Sequence, residues 1–355
     1  LTMAIAYSAR RGHLDDILEL GGAIFARRRL ALDAPEAGQR LGELDVAIVG
    51  LAETIEARLA LTRARGSAAP LDELRTAFQL EATEQRCLWL LLALAVSEEL
   101  RGLAGVDDDV PLALLDDVVY AAPAVRDRFA IELGPAGRLA RLGLIETATA
   151  RPRDGFLGRS VRIAERIVDL AFGIDGLARD VAGFARLIEP DEVELLDAAE
   201  VASAVHAALA HHVEAGAGAV PLLRGAEGSG RQTIVGLAAR ALGARLLVVR
   251  CADLPLGLDR AMTAVQREAI LHRAVIVMCD LEALADDPAT GQLDRTRVLD
   301  LAFAHYTGPL ALTACPSFAR PLVPSRGAIV FDMPATSEAV RAELWYRALP
   351  RARSP

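Results

Sequence analysis

The chain contains no lysine: all 39 of its basic residues are arginine. Chemistry that needs an ε-amine, whether a Schiff base or the ammonium that reaches a terminal phosphate, is excluded at every position. Heavy use of Arg, Ala, Leu and Gly is the mark of a GC-rich coding sequence, and the absence follows from that, but it bears on any phosphate site all the same. Cysteine is scarce. The four residues, Cys87, Cys251, Cys279 and Cys315, are far apart and three lie in apolar runs. That spacing excludes a disulfide framework or a CxxC metal site and fits buried, reduced thiols in a cytoplasmic protein. Basic excess is lacking too. A net charge of -9 over 355 residues argues against a general nucleic-acid binder, leaving only a local basic patch. The apolar run Leu88–Val96 is far too short to span a bilayer, and the N-terminus has no charged-then-apolar leader, so no membrane role is expected.

What is present is a chain 53% hydrophobic and 25% charged, enough to bury a sizeable core. Its length suggests about two or three domains. Residues 1–65 read as two helices separated near Asp33 and Pro35, with apolar residues such as Leu14, Ile17, Leu18, Leu41, Leu44 and Ile48 at spacings of three and four. Gly66 to Pro70 is punctuation, and a winged-helix domain is expected over 66–185. Its parts are a helix from Leu71 to Phe78, a helix from Thr83 to Val96 with Thr83 as N-cap, and a helix near Leu112–Val119. Arg138–Thr147 reads as a helix end running into a strand, and a second strand near Phe156–Ile163 pairs with it as a two-stranded ribbon. After a helix over Asp191–Ala215, residues 190–355 read as an α/β domain. Strands at Val220–Arg224, Arg245–Arg250, Val275–Asp280, Leu310–Ala314 and Ala328–Asp332 alternate with helices at Gln232–Leu242, Arg260–His272 and Leu293–His305. Such alternation predicts a five-stranded parallel sheet with helices on both faces.

The sharpest motif is Gly225-Ala-Glu227-Gly228-Ser229-Gly230-Arg231-Gln232-Thr233, which leaves a predicted strand and opens a predicted helix where a Walker A loop belongs. Gly225, Gly228 and Gly230 keep the backbone that cradles phosphates. The side chains do not match that chemistry. Arg231 stands at the Lys position, and its planar fork does not replace an ammonium in a tight loop. Gln232 cannot supply the short hydroxyl that holds magnesium, and Glu227 adds a repelling charge. On the next strand, Ala274–Asp280, Asp280 remains to orient a metal, but Leu281 follows where a hydrolytic enzyme of this kind has Glu, so no group polarises water. Glu282 lies one residue on, where a strand end turns its side chain away. The combination predicts a retained fold with lost turnover.

On these residues the region from Asp191 onward resembles an AAA+ ATPase module, GAEGSGRQT standing where such proteins have GPPGTGKTT. The order of parts, LDELRTAFQLEATEQRCLWLLLALA, RLARLGLIE, DGFLGRSVRIAERIVDLAFG and then the altered loop, is similar to the N-terminal half of AAA-family ATPases of bacterial contractile injection systems and phage-tail-like particles. The resemblance covers about residues 40–350. It implies nucleotide contact by Gly225, Glu227, Gly228, Ser229, Gly230, Arg231, Gln232, Thr233 and Asp280. ATP or ADP is the implied ligand, with magnesium held weakly. Thr313 and Ala314 fall at the end of the sensor strand, without the sensor Asn, and Arg320 or Arg326 falls near the place of an arginine finger. The helix Glu338–Leu349 with Trp345 looks like the start of a helical lid. An active second module is implied beyond Pro355, as are a homo-oligomeric ring and injection-system components as partners.

Other clusters read as ordinary surface. His211 and His212 are expected to be solvated helix residues without a metal partner set, and Asp107–Asp109 with Asp116 and Asp117 lacks calcium-loop spacing. No metal site is expected. The helix Thr83–Val96 offers few residues to DNA, which favours a protein contact. The reading is therefore the regulatory and assembly half of a larger ATPase, with catalysis lost in this segment. The alternatives are a DNA-tethered nucleotide sensor and a weak ATPase in its own right.

Overall fold

The computed structural model describes residues 2–66, 70–148, 155–191, 198–215, 218–285, 295–318 and 326–348. The chain forms two compact units, Leu1–Gly176 and Leu177–Pro355.

In the first unit α1 (Thr2–Asp33) and α2 (Gly38–Ala64) make an antiparallel pair broken where Asp33 and Pro35 predict it. Ion pairs Arg27–Asp45 and Arg58–Asp16 join them. There follow α3 (Pro70–Ala77), α4 (Ala82–Val96), α5 (Glu98–Ala104) and α6 (Leu112–Val119). The short helices α7 (Pro123–Arg126), α8 (Phe129–Glu132) and α9 (Arg138–Arg141) lead on to α10 (Glu165–Ala171). α4 is the centre of the core: from Cys87 to Leu94 every side chain is buried. Thr83 is not its cap. Glu81 takes that place, its backbone N–H donating to the Glu84 carboxylate at 2.9 Å, because a Glu three residues on closes a capping box. The Thr83 hydroxyl instead donates to Glu132 at 2.6 Å inside the core, where Tyr120 donates to the same oxygen at 2.7 Å. The expected ribbon gains a strand. β2 (Ile145–Thr147) and β3 (Ser160–Ile163) pair antiparallel, and β1 (Val110–Pro111) adds to the other side of β3, giving the order β1-β3-β2. Two residues ending in Pro carry no alternation to read, and Pro is accepted there because β1 is an edge.

The second unit has six strands, not five. β5 (Val220–Arg224), β6 (Arg245–Arg250), β7 (Ala274–Cys279), β8 (Leu310–Ala314) and β9 (Ala328–Asp332) are the five expected parallel strands, β7 displaced by one residue. β4 (Ala185–Ile188) joins them antiparallel to β6, so the sheet is mixed with the order β4-β6-β7-β8-β5-β9. Four residues at an edge, outside the alternation of strands and helices, gave no signal of their own. α11 (Arg179–Ala182), α12 (Ala199–Ala215), α13 (Arg231–Ala241), α14 (Leu258–Leu271), α15 (Thr296–Phe303) and α16 (Glu338–Ala348) complete the unit. Period-two alternation sorts the strands onto two cores: Leu247, Val249, Ile276 and Met278 pack with α14 and α15, while Leu246, Val248, Val275 and Val277 pack with α12 and α13. Of the two adjacent histidines expected at the surface, His211 is exposed and His212 is fully buried, because they lie on different faces of α12. Burial pushes the His212 imidazole below its ordinary range. Among the described residues no helix is long and apolar enough to cross a membrane.

Candidate functional site

The glycine loop lies at the carboxyl end of β5, between β8 and β9. From β5 the chain crosses beyond β8 and β7 to β6, and from β8 it crosses beyond β5 to β9. A reversal of this kind opens a crevice at the strand ends, the usual place for a ligand in an open α/β sheet. The three glycines serve two purposes. Gly228 and Gly230 have φ of +78° and +83°, left-handed backbone that glycine adopts without penalty. At Gly225 the constraint is space, since a Cβ would stand 2.5 Å from Ser229 Oγ and 2.7 Å from Met333 Cβ. Gly230 precedes α13, whose first turn carries backbone N–H groups that helical bonding leaves free for an anion.

Beside the loop is a cavity of about 860 Å³. Its walls are Gly225 to Ser229, the residues from Asp332 to Thr336, and Arg341 and Trp345 on α16. Arg224 and Asp332, at the ends of β5 and β9, face it as a two-pronged ion pair of 2.8 and 3.0 Å. Glu227 is exposed, and the Ser229 hydroxyl is buried with no partner. Gln232 is exposed and Thr233 half-buried.

Arg231 turns away from this cavity. Its Nη1 donates to the Ala314 carbonyl at 2.6 Å, its Nη2 lies 3.5 Å from the Asp280 carboxylate, and the side chain is 12% exposed. Asp280 is in left-handed backbone, with φ of 61°, and its N–H donates to the Thr313 hydroxyl at 3.3 Å. Arg231, Asp280, Thr313 and Ala314 thus meet at the carboxyl ends of β7 and β8, inside the sheet. Leu281 is fully buried. Glu282 accepts the Cys315 N–H at 3.1 Å, which ties its carboxylate to the end of β8. Arg326 is half-buried and donates to the Tyr306 carbonyl at 2.7 Å, and burial lowers its guanidinium from the ordinary value. Arg320 lies outside the described residues. Sequence reasoning missed the Arg224–Asp332 pair, two ordinary strand-end charges 108 residues apart with no local pattern to link them. Among the described residues no three His, Cys, Asp or Glu side chains gather as metal ligands.

In the first unit the surface of α4 is nearly closed: Ala82, Arg86 and Ala95 are its only exposed residues. On the ribbon, Arg162 of β3 is paired across the strands with Glu146 of β2 at 2.6 Å. The family described as winged helix domain, variant, matches residues 6–185, half of the chain. The chain belongs to that family. The matched span takes in most of α1 and all of α2. No curated protein matches the chain.

Proposed function

We propose that the second unit is an AAA+-type P-loop module that holds an adenine nucleotide without hydrolysing it. In this reading it acts as the regulatory and bracing half of a ring-forming ATPase of the contractile-injection type, in the cytoplasm, with the winged helix as a protein contact. The observation that carries the reading is the placement of Arg231. Its guanidinium stands against Asp280, the carboxylate that would orient magnesium, and so supplies fixed positive charge where a metal would sit. Gln232 gives no hydroxyl to a metal, and buried Leu281 gives no group to a water. The residues present therefore fit a nucleotide in the cavity and do not fit its magnesium ion. The phosphates would be held by the loop N–H groups and the start of α13, and the ring and ribose would lie toward Trp345 and Arg341.

The test is calorimetric titration of the full chain with ADP and ATP, with and without EDTA, beside a phosphate-release assay. Binding that is equal in both buffers, with phosphate release at the blank rate, is expected. Magnesium-dependent release that Asp280→Asn abolishes would overturn the reading. The DNA-tethered alternative loses ground to the burial of α4, and a labelled duplex whose shift depends steeply on salt would restore it.

A further inference from the structure

The glycine loop and the strand ends beside it differ in the charge they present. Gly225 to Gly230 and the first turn of α13 offer backbone N–H groups to an anion. In a phosphate loop, the side chain at the position of Arg231 is the one that reaches the β and γ phosphates. Here that side chain is already engaged. Its Nη1 donates to the Ala314 carbonyl at 2.6 Å, its Nη2 lies 3.5 Å from Asp280, and only 12% of it is exposed. The Asp280 side chain, by contrast, is 53% exposed. Glu282 adds a second carboxylate at these strand ends, held by the Cys315 N–H at 3.1 Å. Other guanidiniums are committed elsewhere: Arg295 donates to the Pro255 carbonyl, and Arg224 is held by Asp332 at 2.8 and 3.0 Å. Arg341 belongs to the α16 wall of the cavity, with Trp345.

We propose that this site selects by phosphate number: it holds a nucleoside diphosphate in preference to the triphosphate, and the exposed Asp280 carboxylate is the group that disfavours the third phosphate. This rests on the reading of the loop as a nucleotide site. Two phosphates are met by the N–H groups of the loop and of α13, which ask nothing of the side chains. A third brings further negative charge. In an intact loop a Lys ammonium and a metal ion neutralise it. Here the guanidinium of Arg231 is spent on Ala314 and Asp280, and Gln232 brings no hydroxyl for a metal that would bridge phosphate and carboxylate. Like charges a few ångströms apart at a partly exposed site repel enough to lower affinity about tenfold. To reach a third phosphate, Arg231 would have to give up both of its contacts, and in doing so it would uncover Asp280.

The test is a pair of calorimetric titrations of the full chain, with ADP and with ATP, in EDTA at one fixed ionic strength. ADP is expected to bind about tenfold more tightly than ATP. This ratio is read on the unaltered chain, so it does not depend on any variant folding. Asp280→Asn then removes the carboxylate while keeping a residue that adopts the left-handed backbone of this position, where φ is 61°. It should shrink the ratio to about twofold or less. ATP that binds as tightly as ADP, or a tenfold ratio that a folded Asp280→Asn chain retains, overturns the proposal and leaves the nucleotide reading standing. If neither nucleotide binds the unaltered chain, that reading falls as well.

Discussion

Single residues separate what is local from what is global in this chain. Lysine is absent everywhere, and so is asparagine, which means that Arg231 and the missing sensor Asn reflect the composition of the whole protein. Gln232 and Leu281 are different: serine, threonine and glutamate are plentiful, so their absence at those two positions is specific to the site. The sequence could name Arg231 as the wrong cation but not where it goes, since its acceptor is a backbone carbonyl 83 residues away. His13 was invisible for a related reason, because nothing in its neighbours announces burial. Its ring stands edge-on to Trp89 with centroids 5.8 Å apart, and burial pushes its pKa down to about 4, with Asp72 opposing in part. An unfolded chain takes up this proton near the ordinary value of about 6.5, so the folded state refuses a proton that the unfolded state binds. Stability contributed by neutral His13 is thus present above that pH and is lost as pH falls through the window toward 4. The loss is on the order of 3 kcal/mol. Urea unfolding of the full chain at intervals from pH 7 to 4 should show this slope, and His13→Leu should flatten the difference.

Elements were legible in proportion to how much their burial imposes a pattern. β5, β6 and β8 begin and end where they are expected to, because a parallel strand covered on both faces reads as a continuous hydrophobic stretch between turns. β1 and β4 are too short to show a period, and each exists by pairing with a strand distant in sequence. The glycine loop was legible as a loop, but the reason for Gly225 was not, since the atoms that exclude a side chain there come from Ser229 and Met333. α4 was read correctly as a helix, but its apolar run was taken for a protein contact and is instead the core of the unit, and its cap was misplaced by two positions. A helix buried all round depends on packing alone. Leu91→Ala should cost about 2–5 kcal/mol in chemical unfolding, whereas Arg86→Ala on the same helix should stay within about 0.5 kcal/mol. A near-neutral Leu91→Ala would mean that α4 is not the pillar of its domain.

At the scale of the molecule, two units of different construction share the chain, one organised around a single buried helix and the other around a sheet with a core on each face. Within the sheet, protection is graded. All six residues of β7 are buried between β6 and β8, while most of β9 is exposed and β5 is its one neighbour among the described residues. Hydrogen exchange should therefore release β9 amides well before those of β7. Asp332 and Met333, which continue from β9, are also walls of the cavity beside the glycine loop. Whatever occupies that cavity bolts down the most easily peeled margin of the unit. Occupancy should slow deuterium uptake at β9 and leave β7 unchanged, making the margin itself a gauge of whether the pocket is full.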